Sequence, residues 1–208
     1  MRSGAAAERP GFLIRRVLLV GFMGSGKTQV GRALAKRLGW AFRDFDQEIT
    51  DRMGLPIPDI FRQHGEALFR EVEERVGADL LLEEKVVLAS GGGWPEAEGR
   101  LDGLPEGTLS VWLRVAPEEA VRRVRKEGST RPLLAVPHPV ERAREILAKR
   151  DACYGKAHLA LDSMEAGPEE LARTIERFMN ERGQGEASSP CSTTNGGRER
   201  PRPPFPSA

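Results

Sequence analysis

The stretch Val17-Leu18-Leu19-Val20-Gly21-Phe22-Met23-Gly24-Ser25-Gly26-Lys27-Thr28 decides the fold of this chain. Its first four residues form a continuous apolar run with β-branched members, which favours a buried strand of a parallel sheet. The last eight residues match G-x-x-x-x-G-K-[ST], and apolar residues then recur at helical spacing until Gly39. A strand, a glycine loop and a helix in this order predict a loop that binds the phosphates of a nucleoside triphosphate.

The spacing of this loop follows from what a bound phosphate needs. Glycines let successive backbone N–H groups point at the β-phosphate, and the helix that begins at Lys27 adds the positive end of its dipole. Lys27 then reaches the β- and γ-phosphates of ATP, and the Thr28 hydroxyl ligates Mg²⁺. The expected nucleotide contacts are Gly24, Ser25, Gly26, Lys27, Thr28 and Gln29.

A glycine-rich turn without a ligand is the alternative interpretation of this loop. Because glycine makes up about 7% of residues, such a match would occur by chance in roughly one chain in a hundred. The strand before it and the helix after it lower that chance further. The loop alone does not separate small-molecule kinases from hydrolases, switches and motors, so other motifs have to choose between them.

Further apolar runs alternate with helical patterns along the chain. Strands are predicted over residues 40–45, 85–89, 109–115 and 159–161, and helices over 47–53, 57–62, 66–82, 117–126, 140–157 and 168–182. Strands that alternate with helices predict an α/β fold with a parallel sheet. Residues 128–139 are polar and proline-rich, and we expect them to be mobile.

The domain boundaries follow from shifts in composition. We expect a flexible extension over residues 1–15, one domain over 16–182 and a disordered tail over 183–208. The tail is rich in Gly, Ser, Pro and Arg, so it cannot bury enough apolar surface to offset the entropy lost on ordering. Its proline-rich end resembles an extended recognition segment.

The bulk composition excludes several classes of function. The formal net charge is +1, which gives no reason to expect a nucleic acid or a membrane surface as partner. No apolar run approaches the roughly eighteen residues of a membrane span. Cys153 and Cys191 form neither a disulfide framework nor a metal-ligand pattern, so we expect reduced thiols and a cytoplasmic setting. No surplus apolar helix face stands out, and we therefore expect a monomer.

Two acids at the end of the second predicted strand are candidates for the metal and acceptor sites. Alternation along an extended segment would aim the carboxylates of Asp44 and Asp46 the same way. One could then serve the metal while the other faces the acceptor hydroxyl. A pair of solvated acids that cap the next helix is an equally good interpretation.

Three arginines and a glycine triplet are further candidates for functional residues. Arg70 lies one helical turn from Glu73, although an exposed ion pair worth ~0.2–0.5 kcal/mol would explain that spacing. Gly91-Gly92-Gly93 follows a buried strand at the end where open α/β sheets bind ligands. Arg131 lies in the mobile segment, where it could stabilise charge on a transferred phosphoryl group or simply be a solvated loop residue. Arg150 lies on a helix whose charged, solvated face would explain it equally well.

Together these segments resemble the shikimate kinase family. The family pattern is a glycine loop, then D-x-D, I-F-x-x-x-G-E-x-x-F-R, G-G-G, R-P-L and R-x-x-x-Y-x-x-x-A. The chain has each in order: residues 21–28, 44–46, 60–70, 91–93, 131–133 and 150–158, although in the last Ala157 falls one position early. The resemblance covers about residues 16–182.

The resemblance implies a P-loop three-layer fold: a five-stranded parallel sheet flanked by helices, with a helical acceptor-binding region and a mobile lid. It implies transfer of a phosphoryl group from ATP to the 3-hydroxyl of shikimate, on the route to chorismate and the aromatic amino acids. The implied residues are Lys27, Asp46 and Arg131 for catalysis, Arg131 also for the nucleotide, Thr28 and Asp44 for Mg²⁺, and Asp46, Arg70, Gly92, Gly93 and Arg150 for shikimate.

One departure from the family pattern and two rival functions remain. Trp94 follows the glycine triplet where a small residue is more usual, which would crowd the rim of the acceptor pocket. A kinase for another small hydroxy acid, such as gluconate, could use the same core. A non-catalytic module that binds ATP as a switch would need only the phosphate loop.

Overall fold

The computed structural model describes residues 13–97, 99–126, 132–134 and 136–184. The strands are β1 (Arg16–Val20), β2 (Ala41–Asp44), β3 (Val86–Ala89), β4 (Thr108–Arg114) and β5 (Leu159–Asp162). The helices are α1 (Lys27–Leu38), α2 (Phe45–Met53), α3 (Ile57–Leu80), α4 (Pro117–Lys126), α5 (Pro139–Tyr154) and α6 (Pro168–Gln184), with short 3-10 turns at Trp94–Glu96 and Pro132–Leu134. Most of the predicted extension and nearly all of the predicted tail lie outside the described residues.

The five strands form one parallel sheet in the order β2-β3-β1-β4-β5. Strand β1 lies in the middle and is buried along its whole length. Its side chains alternate between two apolar clusters, with Leu18 and Val20 on one face of the sheet and Val17 and Leu19 on the other. The predicted five-stranded parallel sheet is therefore confirmed.

Helices cover both faces of this sheet. Helices α1 and α6 pack against one face, through side chains such as Leu34 and Ile175. Helices α2 and α3 pack against the opposite face, where Ile49 and Val76 join the other apolar cluster. The arrangement is the three-layer fold that the sequence predicted. Within the described ranges, no helix is long and apolar enough to cross a membrane.

Helix α3 is broken where the sequence predicted two separate helices. Gly65 has φ 79° and ψ 174°, a backbone conformation that is open to glycine and costly for other residues. The segment before it covers the predicted helix at residues 57–62, and the segment after it carries Arg70 and Glu73.

Because all five strands run in parallel, their carboxyl ends meet at one edge of the sheet, and the candidate residues lie there.

Candidate active site

The phosphate loop connects β1 to α1 and packs against α4. Gly24 and Gly26 have φ values of 74° and 88°, in the left-handed region that favours glycine. A Cβ atom on Gly24 would lie 2.8 Å from the backbone oxygen of Ala120, so α4 approaches the loop as closely as the backbone allows. Gly24 therefore serves both the turn and the packing against α4, whereas Gly26 serves the turn.

Polar groups gather in the hollow of the loop. The Lys27 ammonium donates hydrogen bonds to the backbone oxygens of Gly21 at 2.8 Å and Phe22 at 3.0 Å. The Ser25 hydroxyl is buried and has no hydrogen-bond partner among the described residues. A buried hydroxyl of this kind would be satisfied by a phosphate oxygen, so the loop fits a nucleotide. Gln29 is exposed on α1.

Thr28 and Asp44 come together beside the loop. The Thr28 hydroxyl donates to Asp44 Oδ2 at 2.7 Å, while Asp44 Oδ1 accepts the backbone N–H of Asp46 at 3.0 Å. Asp44 thus caps the N-terminus of α2 and also faces the phosphate loop. The capping interpretation is therefore confirmed for Asp44, while its role as a metal ligand stays a prediction.

Asp46 reaches the site from a helix. The expected alternation on an extended strand is wrong here, because β2 ends at Asp44 and α2 begins at Phe45. The cap made by Asp44 starts the helix at once, so Asp46 falls in its first turn. A Cβ atom on Gly91 would nevertheless lie 3.7 Å from Asp46 Oδ1. The structure therefore places Asp46 beside the glycine triplet.

The glycine triplet is the point at which the other candidate residues meet. A Cβ atom on Gly92 would lie 3.5 Å from Arg150 Nη1 and 3.6 Å from the backbone oxygen of Gly21 in the phosphate loop. A Cβ atom on Gly93 would lie 2.8 Å from Arg70 Nη1. Side chains at these positions would fill the space between the arginines and the phosphate loop, so their absence keeps that space open.

Arg70 forms a partly buried ion pair, and the exposed pair offered as an alternative is wrong. Arg70 Nη1 donates to Glu73 Oε2 at 2.7 Å, and Glu73 is only 2% exposed. Burial raises the pKa of the Glu73 carboxyl, and the ion pair with Arg70 opposes that rise. Glu73 thereby fixes the Arg70 guanidinium beside Gly93.

Arg150 is buried, so the solvated helix face that could have explained it is also wrong. It lies on α5 and is 4% exposed, and its Nε and Nη1 atoms have no partner among the residues that the structure describes. Its Nη2 atom forms an ion pair with Glu96. A buried guanidinium with two unpaired nitrogens fits a site that receives an anion.

Tyr154 positions the glycine triplet from the end of α5. Its hydroxyl donates to the backbone oxygen of Gly92 at 2.6 Å, and the side chain is fully buried. Burial raises the pKa of this hydroxyl, so it stays protonated and remains a donor. The sequence offered Tyr154 only as part of a family pattern, because nothing local indicates which backbone group it meets.

Trp94 does not crowd the pocket rim, and that expectation is wrong. Its side chain is 4% exposed and lies in the core, edge-on to Phe45 with ring centroids 5.5 Å apart. The room for the indole comes from Gly77 on α3, where a Cβ atom would overlap Trp94 Nε1. Arg100 donates to the backbone oxygen of Trp94 at 2.9 Å and lies over its ring.

Of the two arginines expected near the nucleotide, the structure describes only one. Arg131 lies outside the described residues. Arg123, for which the family resemblance implies a place near the adenine, donates to the backbone oxygen of Gly24 at 3.2 Å and to that of Ser163 at 2.9 Å. It therefore joins the phosphate loop to the segment that follows β5.

Gly91→Ala is expected to weaken acceptor binding by about tenfold, because the new methyl group would displace the Glu73 carboxylate that fixes Arg70. The measurement is the KM for the acceptor, with circular dichroism to verify the fold. The matched control is Gly167→Ala, where no atom lies within 4 Å of the added methyl group. Equal KM values for the two variants would contradict the role of Gly91.

The chain matches the family model described as shikimate kinase over residues 23–180. It is 41% identical over 163 residues to the shikimate kinase of Moorella thermoacetica, and this alignment covers 78% of this chain and 93% of that protein. It is 43% identical over 160 residues to the shikimate kinase of Cereibacter sphaeroides, with 77% of this chain and 80% of that protein covered.

Solved structures give the same result. The shikimate kinase of Acinetobacter baumannii in complex with shikimate superposes with a TM-score of 0.75 at 35% identity, covering 81% of this chain and 94% of that one. A gluconokinase from Sinorhizobium meliloti has a TM-score of 0.56 at 19% identity, covering 83% of this chain and 95% of that one. The second likeness shows a shared fold and nothing about the acceptor.

Proposed function

This chain belongs to the shikimate kinase family and phosphorylates shikimate, and we propose that it transfers the γ-phosphoryl group of ATP to the 3-hydroxyl, giving shikimate 3-phosphate and ADP. The observation that carries the proposal is the position of the glycine triplet. Gly92 lies against the phosphate loop on one side and Arg150 on the other, and Gly93 lies against Arg70. A donor phosphate and an anionic acceptor can therefore be held next to each other.

Arg70 and Arg150 are the proposed ligands of the shikimate carboxylate. Each guanidinium lies beside the triplet, and a planar fork of N–H donors suits a carboxylate better than the point charge of a lysine. Gly92 and Gly93 would hold the substrate through their backbone, since no side chain separates them from it. Asp46, beside the same triplet, would accept the proton of the reacting hydroxyl.

Lys27 and Arg131 are the proposed partners of the moving phosphoryl group. The Lys27 ammonium already lies in the hollow of the phosphate loop, where it can neutralise charge between the β- and γ-phosphates. The role of Arg131 rests on the family resemblance alone. Little covalent work falls to the protein, so its residues act by positioning the reactants and by stabilising charge.

Thr28 and Asp44 are the proposed protein ligands of Mg²⁺. Both offer hard oxygen donors at one point beside the phosphate loop, which fits this cation. Within the described residues, no three His, Cys, Asp or Glu side chains cluster as a metal site, and Mg²⁺ commonly combines one or two protein ligands with substrate phosphates. The ion would supply positive charge to the β- and γ-phosphate oxygens.

Asp44→Asn is expected to raise the Mg²⁺ concentration needed for half-maximal activity by about tenfold, because one anionic ligand becomes neutral. Asparagine caps helices as well as aspartate does, so α2 should keep its start. A Mg²⁺ titration at saturating ATP and shikimate measures the effect. Asp51→Asn, which neutralises an exposed acid on the same helix, is the control, and identical titration curves would refute the metal role.

The reaction is tested by measuring ADP release with Mg·ATP in the presence of shikimate, gluconate or no acceptor. We expect turnover with shikimate that gluconate does not reproduce, and ³¹P and ¹H NMR of the product should place the phosphate on the 3-hydroxyl. Turnover with gluconate would favour the other hydroxy-acid kinase. ADP release that is indifferent to both acceptors would leave only a nucleotide-binding module.

A monomeric, cytoplasmic enzyme is the form that we propose. The exposed large apolar side chains within the described ranges are few and lie on four separate segments of the chain: Leu13, Leu82, Val136 and Met164. Scattered apolar side chains are normal on monomer surfaces and do not require a partner. Sedimentation equilibrium would measure the molecular mass in solution.

A further inference from the structure

The buried Arg150 guanidinium is paired with a carboxylate of the chain itself. Its Nη2 atom forms an ion pair with Glu96, the last residue of the 3-10 turn that follows the glycine triplet. The two side chains differ in burial, since that of Arg150 is 5% exposed and that of Glu96 is 44% exposed. A solvent-accessible carboxylate therefore neutralises a charge that lies inside the protein.

Glu96 also lies close to the second arginine of the acceptor site. A Cβ atom on Gly93 would stand 3.1 Å from Glu96 Oε1 and 2.8 Å from Arg70 Nη1, so both groups border the same empty volume. Arg70 already has buried Glu73 as its partner, whereas Arg150 keeps two nitrogens without one among the described residues. The Glu96 carboxylate is thus paired with Arg150 and lies near the Arg70 guanidinium.

We propose that Glu96 is a displaceable partner of Arg150, whose carboxylate pairs with that guanidinium in the empty site and is displaced by the carboxylate of the acceptor. The inference rests on the proposed function, which assigns Arg70 and Arg150 to that carboxylate. Removing a partner from a buried charge is costly, so Arg150 needs an anion in the empty enzyme as well as in the loaded one. Glu96 provides one when the substrate is absent.

The exchange requires an acceptor that carries a carboxylate. An incoming carboxylate restores the ion pair that Glu96 gives up, while a neutral polyol would leave Arg150 unpaired or leave Glu96 in place. Glu96 can leave at low cost because its side chain borders solvent. Glu73 is almost fully buried and remains with Arg70 as a permanent partner. The two glutamates therefore have different roles, one fixed and one displaceable.

The test compares Glu96→Gln with wild type by equilibrium binding of shikimate and by steady-state kinetics. Without a competing carboxylate, the Kd and KM for shikimate should fall roughly three- to tenfold while kcat stays unchanged. The rise in melting temperature on adding shikimate should also be larger in the variant. Asp102→Asn is the matched control: it removes one exposed negative charge, paired with Lys156, and should leave all four quantities at the wild-type values.

A residue that merely orients Arg150 in the bound state would behave in the opposite way. Glu96→Gln would then raise the KM or lower kcat, and either result overturns the proposal, as does a KM equal to that of Asp102→Asn. Glu96→Ala, which removes the side chain as well as the charge, should match Glu96→Gln. Wild-type enzyme without shikimate-dependent turnover would instead refute the proposed function, so the two failures are distinguishable.

Discussion

Lys27→Ala is expected to lower kcat by roughly 10²–10³-fold, the usual cost of removing one preorganised donor from a developing charge. The ammonium is held in the hollow of the phosphate loop by the backbone oxygens of Gly21 and Phe22. It therefore needs little reorganisation to meet the β- and γ-phosphates, and its charge matters most as the phosphoryl group moves. Steady-state kcat at saturating ATP and shikimate measures the loss.

Lys36→Ala is the matched control for this change. Lys36 lies on the same helix, exposed in its last turn, and its replacement removes the same charge from a position far along α1. Its kcat should equal that of the wild type. Because Lys27 also bonds to the loop backbone, thermal melting of both variants has to show an intact fold. A folded Lys27→Ala enzyme with normal kcat would contradict the assignment.

Arg150→Ala is expected to raise the KM for shikimate by about 10²-fold. Two charge-assisted hydrogen bonds to the substrate carboxylate would be lost, together about 3 kcal/mol, and each 1.4 kcal/mol is a factor of ten. The groups that would make those bonds are Arg150 Nη1, which lies beside Gly92 and has no partner among the described residues, and Nη2, which Glu96 would release. The change should fall mainly on KM, because the carboxylate is remote from the transferred phosphoryl group. Initial rates over a range of shikimate concentrations measure it.

Arg144→Ala separates this effect from a general loss of positive charge. Arg144 lies on the same helix α5, but its side chain is 61% exposed and pairs with Glu118 on α4. An exposed ion pair of this kind is worth about 0–1 kcal/mol and contacts no substrate, so the KM for shikimate should not change. If both variants had the same KM, Arg150 would not be a carboxylate ligand.

The arrangement of the site explains why three adjacent glycines follow β3. Tyr154, on α5, donates a hydrogen bond to the backbone of Gly92. Trp94, the residue after the triplet, packs in the core beside Gly77. The triplet is thus held at its middle residue and at its C-terminal end, and it carries no side chain that could cover its backbone. A rigid, bare backbone can approach a polar ligand closely, which a flexible glycine turn could do only at an entropic cost.

The sequence by itself determined the fold class, the order of elements and the position of the phosphate loop. These properties are local: an apolar run of four residues, a glycine spacing and a helical period each lie within one short segment. The break at Gly65 was predictable for the same reason. The family followed from the order of several such segments, and the comparisons confirm it.

Only the tertiary structure decided how the candidate side chains are partnered. Local spacing allowed an exposed Arg70–Glu73 pair and a solvated Arg150. Instead Glu73 and Arg150 are buried and Arg70 is partly buried, because the glycine triplet packs against them. Burial depends on which distant segments pack together, and the local sequence of residues 66–73 or 150–158 does not indicate which segments these are. The pairing of Glu96 with Arg150 joins positions more than fifty residues apart along the chain. Such a contact follows from packing across the sheet edge, where the free energy of a charge is set by its neighbours in space rather than in sequence.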